Sequence, residues 1–123
     1  MIRGAVSQRL EPRISLTFLD AADTPLHLDV EIDTAFAGFI ALPPDVIAHL
    51  GLPPAGVFAI TLADGRPVNT SCYFARVEWQ GSIRTVRAYE MGTNPLLGIN
   101  FLWGHRLTID VKVGGDVTVE PLT

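Results

Sequence analysis

The amino-acid sequence predicts an all-β fold assembled from hairpins, with two short helices. Three observations predict it: apolar and polar residues alternate over most of the chain, turn-forming pairs interrupt these runs at short intervals, and helical spacing is confined to two brief stretches. The first strand run places Ile14, Leu16 and Phe18 on one face, and residues 20–25 supply a turn. The second run points Leu26, Leu28, Val30 and Ile32 one way and His27, Asp29, Glu31 and Asp33 the other, so Asp33 ends a half-buried strand. In residues 43–50 two prolines pre-set helical φ, Asp45 suits a helix N-terminus and Gly51 supplies a left-handed stop, which predicts one helix. Residues 57–62 and 67–70 flank Asp64-Gly65, a pair suited to a projecting hairpin. Two further hairpins join residues 73–79 to 83–89 around Gln80-Gly81, and 107–113 to 116–120 around Gly114-Gly115. In the latter, Leu107, Ile109, Val111 and Val113 alternate as one buried face. The apolar stretch 95–103 predicts a turn and the second short helix. A strand, a Gly-containing loop and a helix around residues 32–50 find a weak echo around 88–103.

Composition bounds what such a fold can do. At 123 residues one domain, 1–123, is expected, and no low-complexity tract or Ser/Gly linker divides it. Hydrophobic residues make up 48% of the chain and charged ones 18%, enough to fill a core and to leave an apolar face for a partner subunit. A net charge of -4 argues against a nucleic-acid module, which needs a basic stripe to neutralise phosphates. No apolar run approaches the roughly 18 residues of a membrane span. Arg3, Arg9, Glu11 and Arg13 lie where a signal peptide would be apolar, so the cytosol is the expected compartment. Cys72 is the single cysteine, which excludes an intrachain disulfide and reads as a core residue. His27, His49 and His105 show no metal-ligand spacing, and neither a metal nor an organic cofactor is expected.

Chemistry concentrates at Asp33-Thr34, which puts an acid and a hydroxyl at the head of a loop otherwise built of Ala35, Phe36, Ala37, Gly38, Phe39 and Ile40. A carboxyl among apolar groups holds its proton more tightly, which suits an acid catalyst. An aspartate capping the following turn is the alternative.

The segment Ile32-Asp33-Thr34-Ala35-Phe36, followed by Gly38-Phe39 and a Pro-started helix ending in Leu50-Gly51-Leu52, resembles the retropepsin-like aspartic proteases, in their small single-domain prokaryotic branch. Thr61-Leu62-Ala63-Asp64-Gly65-Arg66, Val77-Glu78-Trp79 and Pro95-Leu96-Leu97-Gly98-Ile99 follow in the order the resemblance requires. It implies a closed barrel acting as one half of a C2 homodimer. Asp33 would be the catalytic acid, sharing a proton with its symmetry mate, and Thr34 would hydrogen-bond across the axis. Leu62, Ala63, Asp64 and Gly65 would form a flap which, with Phe36, contacts a peptide or protein substrate. Leu97 and Gly98 would support the active-site loop. Ala35 stands where the family carries Gly; it keeps the N–H that bonds the carboxylate and adds a Cβ. The implied activity is aspartic endopeptidase, with a non-catalytic dimerisation or peptide-binding module of the same fold as the alternative.

Overall fold

The computed structural model describes residues 1–62 and 64–123. The strands are β1 (Ile2–Val6), β2 (Pro12–Leu19), β3 (Pro25–Asp33), β4 (Ile40–Leu42), β5 (Pro54–Thr61), β6 (Pro67–Trp79), β7 (Ser82–Glu90), β8 (Leu96–Gly98), β9 (His105–Ile109) and β10 (Asp116–Pro121); the helix is α1 (Pro44–Leu50). They form one sheet in the order β5-β6-β7-β4-β8-β3-β2-β1-β10-β9, and an added β2–β6 pairing closes β2, β3, β8, β4, β7 and β6 into a six-strand barrel. At the closure Phe18 lies opposite Val77. The alternation read from the sequence fills the interior. Ile14, Leu16 and Phe18 from β2, Val30 and Ile32 from β3, Ile40 and Leu42 from β4, and Leu97 from β8 are all buried.

Two parallel pairings matter for the site: Ile32 and Asp33 of β3 run beside Leu97 and Gly98 of β8, and Ile40 of β4 runs beside Ala88 of β7. β4 in turn pairs antiparallel with β8. Strand–loop–strand units β3–β4 and β7–β8 thus interlock, so the echo in the sequence extends to the strands and loop but not to the helix, which follows only β4.

Helix α1 follows the expectation, with Pro43 as N-cap and a left-handed Gly51 as stop. The second helix is absent. Leu96 and Leu97 are drawn into the sheet between β3 and β4, and the following residues make single turns, Phe101 N–H to Gly98 O, Leu102 N–H to Ile99 O and His105 N–H to Leu102 O. Short i to i+3 bonds of this kind close the connection without an α-helix.

Three more differences have local causes. Residues 67–79, expected in two strands, form one 13-residue strand, because its first half pairs with β5 and its second with β7. Val111 and Val113 are exposed rather than buried, since β9 stops at Ile109. Beyond it the Gly114 N–H bonds Val6 O, the Val6 N–H bonds Gly115 O and the Gly115 N–H turns back to Lys112 O, folding the segment onto β1. Strand β1 itself was not foreseen; Arg3 and the short run disguise it, yet it lies between β2 and β10. The His105 Nε2 accepts the Trp79 indole N–H at 3.2 Å.

Candidate active site

Asp33 is the last residue of β3, and its neighbours fix its backbone. Its carbonyl accepts the Phe36 N–H at 3.2 Å, and its Oδ1 accepts the Ala35 N–H at 3.0 Å. Ala35 has no positive φ, so its methyl group imposes no left-handed strain, and the residue is exposed. Thr34 is exposed in the same turn.

The loop after Asp33 crosses the end of β8. The Gly98 N–H bonds Phe39 O at 2.8 Å, the Ile99 N–H bonds Phe36 O at 2.9 Å and the Asn100 N–H bonds Gly38 O at 3.3 Å. Such contact demands a residue without Cβ: one built on Gly98 would stand 2.1 Å from Gly38 O and 2.8 Å from Phe36 Cδ2. Leu97, fully buried, anchors the same strand between Ile32 and Ile40. Gly98 and Leu97 therefore pack against the loop that follows Asp33.

A groove opens between this loop and the β5 end of the hairpin. One recess, about 410 Å³, is lined by Asp33, Phe36, Ile60, Leu62, Met91 and Leu96, among others. A second, of about 260 Å³, shares Ala35, Phe36, Ala37, Ile60 and Thr61 but extends toward Ala59 and Tyr89. Among the described residues Asp33 is the one carboxylate lining either recess. Leu62 thus joins the groove with the active-site loop, whereas Asp64 and Gly65 lie at the hairpin tip and line neither recess. Ala63 lies outside the described residues. The tip is tied locally: the Arg66 N–H and its Nε bond the Asp64 carboxylate at 3.0 and 2.6 Å and hold it below the usual carboxylate range.

Below Asp33 the polar face of β3 carries a network. Arg13 donates through Nε to Asp29 Oδ2 at 2.6 Å, through Nη1 to Glu11 Oε1 at 3.2 Å and through Nη2 to Asn94 Oδ1 at 3.0 Å, and Asn94 Nδ2 donates to Glu31 Oε1 at 2.9 Å. Desolvation, followed by a hydrogen bond and charge repulsion from Glu11, pushes the Glu31 carboxyl up; Arg13 opposes this and Asp33 adds to it.

A closed six-strand barrel, a parallel β3–β8 pair with an aspartate at its end, and a hairpin over that aspartate make a specific combination. A solved structure described as a retropepsin-like aspartic protease from Rickettsia conorii matches it with a TM-score of 0.61, over 97% of this chain and 90% of the other. The chain has the retropepsin-like fold. Identity to that protein is 16%, so the likeness is one of architecture. No protein-family model and no curated protein matches the chain.

Within the retropepsin-like fold Ile60, Met91 and Tyr89 line the groove although no motif marked them, and Thr61 and Leu96 line it from within quoted motifs that did not single them out. Leu96 could have been found, because it immediately precedes Leu97-Gly98 and pairs with Glu31. Met91 and Tyr89 carry no such signal; the parallel β4–β7 pairing delivers them. Across the described residues no helix is long and apolar enough to cross a membrane.

Proposed function

We propose that the chain is an aspartic endopeptidase that works as a C2 homodimer. The observation that carries this reading is the single carboxylate, Asp33, held at the floor of a groove under a hairpin. Peptide hydrolysis by carboxyl groups takes two of them about 3 Å apart, sharing one proton. One chain supplies one, and a two-fold axis beside Asp33 supplies Asp33 of the partner subunit. The ionised carboxylate takes a proton from water as its oxygen attacks the scissile carbonyl, while the protonated one gives its proton to the carbonyl oxygen. Collapse of the tetrahedral adduct then returns the proton to the departing amine. Thr34, exposed beside Asp33, would hydrogen-bond across such an axis in this reading. The hairpin limits water access, with Leu62 as its described contact with the groove.

The test is a peptide-library digest between about pH 3.5 and 7, read by mass spectrometry, for the parent and Asp33→Asn. Cleavage by the parent, its loss in the variant, and a specific activity that falls on dilution as dimers dissociate are expected. Equal cleavage by a folded Asp33→Asn protein would refute the role of Asp33. Peptide retention by the parent without turnover would mark a binding module instead.

A further inference from the structure

The two recesses of the groove differ in chemistry, and Phe36 stands between them as a shared wall. The larger one, beside Asp33, presents Ile60, Leu62, Met91 and Leu96, a surface for an apolar side chain. The smaller one shares Ala35, Ala37, Ile60 and Thr61 with it and adds Gly38, Ala59 and Tyr89, so what distinguishes it is the room beside two small residues and a tyrosine facing the shared Thr61 side. We infer that this smaller recess is a specificity subsite for an uncharged hydrogen-bonding side chain of the amide type, with Tyr89 as its determinant. The inference rests on the peptide-processing reading and names what the same groove selects.

Tyr89 is built to be a fixed wall. Its ring meets Phe36 edge-on, with centroids 5.8 Å apart and planes at 74°. A Cβ on Gly38 would sit 2.5 Å from Tyr89 Cε2 and 2.5 Å from Phe36 Cζ, so the glycine is what lets both rings seat there. Packing, not a hydrogen bond, thus sets the ring's place. Among the described residues neither the Tyr89 nor the Thr61 hydroxyl has a protein hydrogen-bond partner, and neither residue is buried, so both hydroxyls are free to bond water. A substrate side chain that fills the recess expels that water. An apolar side chain leaves both hydroxyls unpaired, whereas a carboxamide accepts from one and donates to the other. A carboxylate is disfavoured by Asp33 on the shared loop, and an ammonium finds no counter-charge lining this recess.

The experiment captures a pool of octapeptides with Gln or Met at each position on the Asp33→Asn protein, reads the bound fraction by mass spectrometry, and repeats it with Asp33→Asn/Tyr89→Phe. Gln and Met are close in size, so the comparison isolates polarity. Enrichment of Gln over Met by about fivefold at one position, the effect of one hydrogen bond, is expected, falling toward one when Tyr89 loses its hydroxyl. Equal enrichment at every position, an unchanged preference in the Phe variant, or no captured peptide would each overturn the subsite. The peptidase reading fails separately, if the parent protein leaves the captured peptides intact.

Discussion

Replacing Gly98 with alanine tests whether the active-site loop and β8 cross as closely as described. The new Cβ would meet Gly38 O at 2.1 Å, Gly38 C at 2.8 Å and Phe36 Cδ2 at 2.8 Å. Two of the three are backbone atoms, in a segment tied by the bonds from Gly98 N–H to Phe39 O and from Ile99 N–H to Phe36 O. Relief requires the strands to part. Overpacking of this kind costs about 1–3 kcal/mol, and weakening two hydrogen bonds adds about 1 kcal/mol each. With an unfolding entropy of about 2.1 cal/mol/K per residue, the resulting 3–5 kcal/mol lowers Tm by roughly 10–20 °C. Circular dichroism melts measure it. Gly65→Ala is the comparator: its Cβ meets nothing within 4 Å, so only the left-handed φ of +84° is penalised, at about 1 kcal/mol or roughly 4 °C. A Gly98→Ala protein melting within about 3 °C of the parent would refute the close crossing as the support of Asp33.

Because the Glu31 carboxyl is pushed up in the folded protein, its contribution to stability is complete below the ordinary glutamate value near 4.3 and is lost as pH rises through the folded value. Glu31→Gln, which retains an acceptor for Asn94 Nδ2 and can donate to Glu11, therefore raises Tm at pH 7, and the gain vanishes near pH 4; an unchanged or lower Tm at pH 7 would contradict the Glu11–Glu31 repulsion. Cys72 is 1% exposed and burial pushes its thiol up, so a thiol reagent at pH 7.5 labels it only after denaturation, and rapid labelling of the native protein would show that the barrel wall opens.

The barrel wall was legible because β2 and β3 are buried on one face, and alternation is a direct imprint of that. The same signal misled at Val111 and Val113, where the period of two continues past the last ladder bond. Helix and strand could not be told apart over residues 95–103, since a short apolar run fits either and only the parallel partner β3 decides it. Asp33, Leu97 and Gly98 stood out because they sit in short contiguous motifs, Asp33-Thr34 and Leu96-Leu97-Gly98, that carry the resemblance, although the contacts of Gly98 with Gly38 and Phe36 are long-range. Tyr89 was not, because its value depends on Phe36 and Gly38, some fifty residues earlier, meeting it across the β4–β7 pairing.

The position of β1 bears on how the chain is made. Ile2 lies opposite Val119 and Ala5 opposite Asp116, so β1 waits for the much later β10 before its second edge is covered. Until then β1 can pair only with β2, and its open side is a template for any other extended segment. Val117 and Val119, both 0% exposed, enter the core at that late step. The order of closure is therefore set by a pairing between segments far apart in the sequence, the kind of contact that forms slowest.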